Sequence, residues 1–140
     1  MPRQGIAVEF AVPCAVARAY LSDPRNRPAW QSSLRAVADV VPGRDGEAGG
    51  VEATWTDVTV VPGIRPRMRT EYDDAQRWIE SGAFGPFRAT LELAFEPAAH
   101  GCVVTARFRV LGLGLGRLIT VASIPAIRAD LRRAAAILAR

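Results

Sequence analysis

VLGLGLGRLITVASIP, residues 110–125, is the stretch from which the rest of the chain is best read. Glycine recurs at every second position from 112 to 116, and Arg117 is the only charge in the run. From Arg117 onward the pattern turns helical. Thr120, Ile124, Ile127, Leu131, Ala134 and Leu138 recur at spacings of three and four and make one face, with Arg128, Arg132 and Arg133 off it. A bilayer-spanning helix needs about 20 apolar residues. Here the uninterrupted apolar run after Arg117 is only Leu118 and Ile119, and Thr120 and Ser123 interrupt the residues beyond, so no membrane span is expected. A helix with one apolar face is a lid that needs a surface beneath it. Pro125 predicts a kink, since its ring crowds the preceding turn and removes a donor. The half before Pro125 is apolar on nearly all sides, more than a one-sided lid requires. It either roofs a ligand cavity or packs tightly, against the core or against a second copy.

The surface for the lid lies upstream. IAVEFAV (6–12) reads as a strand, and Pro13 opens a short helix through CAVARAYL. SDPRNRPAW (22–30) opens a second, with Asp23 as N-cap and Pro24 in its first turn. Six further strands come next: LRAVADVV, VEATWTDVTVV, RMRTEY, RWIESG, FRATLELAF and VVTARFRV. They are separated by the turn-rich segments PGRDGEAGG, PGIRP, DDAQ, FGP and EPAAHGC. Short turns between consecutive strands imply an antiparallel meander. Alternation assigns faces: Phe87, Ala89, Leu91, Leu93 and Phe95 oppose Arg88, Thr90, Glu92 and Glu96. Val104, Ala106, Phe108 and Val110 oppose Thr105, Arg107 and Arg109, and Met68, Thr70 and Tyr72 oppose Arg67, Arg69 and Glu71. One face of the sheet is therefore apolar and must be covered.

The totals fit this reading. The chain has 140 residues, 49% hydrophobic and 23% charged, which suits one globular domain over 1–140. The net charge is +4, and all 18 basic residues are arginine. That usage points to a GC-rich, bacterial genome and weakens any functional reading of the arginine count. The rows Arg65, Arg67, Arg69 and Arg107, Arg109 lack interleaved aromatics or a recognition helix, so a solvated outer face is expected and no nucleic-acid partner. MPRQGIAVEF lacks the apolar core of a signal peptide. Cys14 and Cys102 make no disulfide framework, and a reduced, cytoplasmic protein is expected. With His100 the sole histidine, neither a metal site nor a nucleophile–histidine pair is expected. LGLGLG lacks the G-x-G-x-x-G spacing and a parallel strand–helix unit, so it is no dinucleotide fingerprint. No cofactor is expected.

The order of elements resembles the helix-grip fold of the START-like superfamily, also called birch-pollen-allergen-like or SRPBCC. Within it, the chain resembles the bacterial polyketide cyclase/dehydrase branch. The likeness is carried by VPCAVARAYLSDPRNRPAWQSSLRAV, TEYDDAQRW, GPFRATLELAFEP, a glycine-led last strand and ADLRRAAAIL. It covers almost the whole chain, although Cys102 stands where a threonine is expected. These are caps, turns and core positions, specific for fold and weak for function. The resemblance implies an α+β, seven-stranded antiparallel sheet with two short helices, gripping a long C-terminal helix over a cavity. It further implies a lipid, polyketide or similar apolar ligand, which some members transform and others only carry or sense.

Candidate residues emerge from the faces. Trp55 and Asp57 share a face with Val51 and Ala53. An inward Asp57 is a candidate general base, and a strand-end Asp57 is merely solvated. Tyr72, on the face of Met68 and Thr70, is the second catalytic candidate, or else a core tyrosine with its hydroxyl at the rim. Trp78 and Glu80 share one side of a short strand and Arg77, Ile79 and Ser81 the other, which leaves the inward side open. Trp30, Trp55, Met68, Thr70, Tyr72, Trp78, Phe87, Leu91, Phe108, Thr120, Val121 and Ile124 are the expected ligand-lining set, unless they simply fill the core. The leading expectation is a binder of a hydrophobic small molecule. The alternatives are a cofactor-free cyclase/dehydrase-type enzyme and an interaction protein that homodimerises through the apolar half-helix.

Overall fold

The computed structural model describes residues 5–140. Strand β1 (Ile6–Phe10) leads into helix α1 (Cys14–Ser22), a 3-10 turn (Pro24–Asn26) and the short helix α2 (Arg27–Trp30). Six strands come after it: β2 (Leu34–Val41), β3 (Thr54–Thr59), β4 (Arg67–Asp73), β5 (Arg77–Phe84), β6 (Phe87–Ala98) and β7 (Gly101–Leu111). Helix α3 (Gly116–Leu138) ends the chain. The seven strands form one antiparallel sheet in the order β1-β7-β6-β5-β4-β3-β2, the helix-grip arrangement. The meander pairs neighbour with neighbour, and β1 closes against β7.

Local chemistry explains most boundaries. Asp23 caps the 3-10 turn by accepting from Arg25 N–H, and Pro24 sits at its first position. Asp74 accepts from the N–H groups of Gln76 and Arg77, which turns β4 into β5. β3 begins at Thr54, later than the alternation implies. Glu52 takes a left-handed φ of 71°, and Ala53 N–H bonds back to the Gly50 carbonyl, so Val51–Ala53 belongs to the turn. The glycines of the LGLGLG run build the passage from β7 to α3. Gly112, Leu113 and Gly114 all have positive φ, and a Cβ on Gly116 would collide with the Val110 carbonyl. Thr120 steadies this corner, its hydroxyl accepting from Val110 N–H and donating to the Gly116 carbonyl.

α3 packs on β1 and β7. Leu131 and Ala134 are fully buried, on the face read from the sequence, with Ile124, Ile127 and Leu138 packed against the same core. Leu21, Trp55, Trp78, Leu93 and Val104 complete its centre, and the Trp55 and Trp78 rings stack with centroids 6.4 Å apart. The helix runs continuously through Pro125.

Three expectations are corrected. The half of α3 before Pro125 does not turn its surplus apolar residues inward: Leu118 and Val121 are 69% and 59% exposed. A β-bulge between Thr70 and Tyr72 breaks the alternation of β4, so Tyr72 leaves the face of Met68 and Thr70 and is 39% exposed. Cys14 and Cys102 are joined in a disulfide with Cα atoms 4.9 Å apart. The pairing is long-range, with a sequence separation of 88, and only the β1–β7 closure brings the start of α1 to the start of β7. The cysteines therefore give no support to a reduced protein.

Candidate functional site

A cavity of about 420 Å³ lies between the sheet and α3. Met68, Phe87, Ala89, Leu91, Leu93 and Phe108 line the sheet side. Ser123, Ala126, Ile127, Asp130 and Leu131 line the helix side, an i, i+3, i+4, i+7, i+8 face that leaves Val121 out. Phe84 and Ala126 line the cavity yet are exposed, which places its mouth at the β5–β6 turn. The apolar residues Leu111, Leu113, Leu115, Leu118 and Val121 are exposed on the segment whose Gly112 touches that turn at Phe87.

One part of the wall is charged. Arg27 and Trp30 stand three residues apart, so the single turn of α2 presents both on one side. The Arg27 guanidinium grips Asp57 with two bonds, Nε to Oδ1 at 3.0 Å and Nη2 to Oδ2 at 2.8 Å. Its Nη1 donates to Glu80 Oε2 at 2.8 Å. Trp55 Nε1 adds a third bond to Asp57, at 3.0 Å, and the guanidinium carbon sits 5.2 Å from the centre of the Trp55 ring. Arg27, Asp57 and Glu80 are 2%, 5% and 3% exposed. Arg27 thus ties β3 to β5, two strands that β4 separates. Burial pushes the Glu80 carboxyl above its ordinary range; the Arg27 charge pulls it down and the Asp57 charge pushes it up, and the balance is upward. Asp130 of α3 accepts from the N–H and hydroxyl of Ser32, which anchors the lid to the segment after α2. Trp30 also lines the cavity, and its buried Nε1 has no hydrogen-bond partner among the described residues.

The profile of a family described as polyketide cyclase/dehydrase and lipid transport matches residues 6–140. The chain belongs to that family. Solved structures share the fold at low identity. A protein of Chromobacterium violaceum superposes with a TM-score of 0.69 at 12% identity, over 99% of this chain and 98% of its own. A START superfamily protein from Mycobacterium smegmatis gives 0.68 at 13% identity, over 94% and 92%. Ara h 8.0201 gives 0.72 at 12% identity, over 96% and 95%. No curated protein matches the sequence.

Within this polyketide cyclase/dehydrase and lipid transport fold, the expected residues divide. The cavity brings together Trp30, Asp57, Met68, Phe87, Leu91 and Phe108. Trp55 stacks behind it on Trp78 and holds Asp57. Thr70 and Trp78 both donate to the Gly49 carbonyl, at 3.2 and 3.0 Å, and so pin the β2–β3 loop. Tyr72 lies on the outer side, its hydroxyl bonded to Asp74 and its ring under Arg77. Thr120 serves the helix corner, Ile124 packs on the core and Val121 faces solvent. Arg27, Glu80 and Asp130 were absent from the expected set. Arg27 was readable only as an arginine three before Trp30 in a proline-bounded turn, a weak signal in a chain whose every basic residue is arginine. Among the described residues, no helix is long and apolar enough to cross a membrane. Among the described residues, no cluster of acidic, histidine or cysteine side chains could hold a metal.

Proposed function

We propose that the protein binds a hydrophobic small molecule in the cavity beneath α3, for carriage or sensing. The observation that carries this reading is an apolar-lined space of about 420 Å³ in the range of known ligand sites, with its few polar groups gathered at α2. A second reading, cyclase/dehydrase-type catalysis, draws on Glu80, whose carboxyl is raised and lines the cavity. Asp57 is less suited to a base's role, because both its oxygens are engaged by Arg27 and Trp55.

Ala89 lines the cavity from β6, opposite Gly82 and Val110. Nile red should bind the wild type saturably, and Ala89→Phe should exclude it with little loss of stability. If the wild type never takes up the dye and Ala89→Phe loses about 1–3 kcal/mol, as an overpacked core does, the space is not a binding cavity. Native mass spectrometry of freshly purified protein separates the two readings. A carrier releases its ligand unchanged, whereas a dehydrase releases it short of one water.

A further inference from the structure

We infer that the end of the molecule around the cavity mouth docks on an anionic membrane surface, with its exposed apolar side chains among the lipid headgroups and its arginines on the lipid phosphates. Docking of this kind goes beyond the ligand reading and holds whether or not the cavity takes a ligand.

Topology gathers the surface. In an antiparallel meander alternate connections fall at one end of the sheet, so the β3–β4, β5–β6 and β7–α3 turns share an end. Of the eleven large apolar side chains that are exposed among the described residues, eight belong to these turns, the strand ends beside them and the start of α3. Val60 and Val61 stand at the first turn, Phe84 at the second, and the other five lie from Leu111 to Val121. Soluble proteins scatter such residues singly, and a gathered set marks an interaction site.

Charge decides what covers it. The three segments that build this end, 58–70, 81–91 and 103–129, hold no aspartate or glutamate. Arg65, Arg67, Arg88, Arg109 and Arg117 stand exposed on them, and none of the five is in an ion pair among the described residues. Strand register sets Arg67, Ala83, Arg88 and Leu111 in one row across the sheet, which puts cations beside the apolar tip. Acids sit at the other end, Asp45, Glu47 and Glu52 between β2 and β3 and Asp74 between β4 and β5. An unpaired basic rim round protruding leucines suits a surface that is both anionic and soft. Phosphates take the guanidinium groups, and the headgroup region admits apolar side chains without a matching groove. A second copy seated symmetrically would bring basic rim against basic rim. Nucleic acid would use the charge and leave the leucines in water.

The test is co-sedimentation with vesicles of mixed phosphatidylglycerol and phosphatidylcholine, against vesicles of phosphatidylcholine alone. At low salt the wild type should partition onto the anionic vesicles about tenfold or more strongly, and less so as salt rises toward about 0.5 M. Arg88→Glu with Arg117→Glu should lower that partitioning about tenfold or more. Arg132→Glu with Arg133→Glu makes the same charge change in the distal half of α3 and should lower it far less. Leu113→Ser with Leu118→Ser should lower it about tenfold at unchanged charge, whereas Val16→Ser with Val41→Ser, exposed elsewhere, should not. All these side chains are exposed, and an unchanged thermal midpoint shows that each variant is folded. No binding to the anionic vesicles, or equal binding to phosphatidylcholine alone, would overturn the inference. So would equal losses from the two arginine pairs, or a leucine variant that binds like wild type, since either reduces the effect to net charge. Dimerisation that the leucine changes abolish, without vesicle binding, would give the surface to a second copy and overturn it too. Each of these outcomes leaves the cavity reading intact, which Nile red uptake tests separately.

Discussion

Arg27 is the residue on which the interior turns. Removing it leaves Asp57 and Glu80 buried without a counter-ion, and breaking a buried pair from one side typically costs about 3–5 kcal/mol. Arg27→Met should therefore destabilise strongly in urea denaturation. The triple variant Arg27→Met, Asp57→Asn, Glu80→Gln should recover most of the loss; equal stability of single and triple variants would show that charge is not the cause. Glu80 makes a separate, pH-dependent prediction. Its folded-state value lies above the ordinary carboxylate value, so between the two the folded state holds more protons than the unfolded chain. Its contribution is then full below the ordinary value and is lost as pH rises toward the folded one. Glu80→Gln cannot lose that proton and should gain on wild type as pH rises from about 4 to 8, near and above the ordinary range. The opposite trend would mean that Arg27 outweighs burial. At this scale, alternation correctly put Asp57 beside Trp55, because both lie within an unbroken strand. It misplaced Tyr72, because a bulge adds one residue and nothing in RMRTEY announces it.

Among the elements, the turn from β7 into α3 is the most demanding. Gly112 combines a φ of 143° with a backbone neighbour: a Cβ there would fall 2.6 Å from the Pro86 carbonyl oxygen. Gly112→Ala should cost about 1–3 kcal/mol, the range for a residue held in sparsely populated backbone space. A thermal midpoint equal to that of wild type would show that the turn can relax. The elements themselves were readable because turn residues and period-two alternation punctuate the chain so regularly. The direction of α3's apolar surplus was not. Periodicity gives a helix a face but cannot say whether residues beyond that face meet a wall or water, and Leu118 and Val121 meet water. The charged wall of the cavity was equally hidden, since Arg27, Asp57 and Glu80 come from three elements whose approach depends on the curvature of the whole sheet.

For the molecule as a whole, the disulfide makes the largest claim. Cys14 and Cys102 close a loop across most of the chain, and loops of this length lose most entropy from the unfolded state when cross-linked. Reduction should lower stability by about 2–5 kcal/mol, read as a fall in the urea midpoint with reductant present. Cys14→Ser with Cys102→Ser should reproduce it without reductant. Unchanged midpoints in both would mean that the sheet alone supplies the closure.

The pairing of β1 with β7 has a consequence in time. On the ribosome β1 emerges well before β7, a wait on the order of ten seconds at ordinary synthesis rates. Through that interval β2 to β6 can already zip together hairpin by hairpin, each with its partner next in line. The nascent β1 has no partner to turn to, and the Cys14 thiol travels beside it. A pause before Gly101 therefore leaves an apolar strand and a reactive sulfur waiting together, open to a neighbouring nascent chain in the same condition.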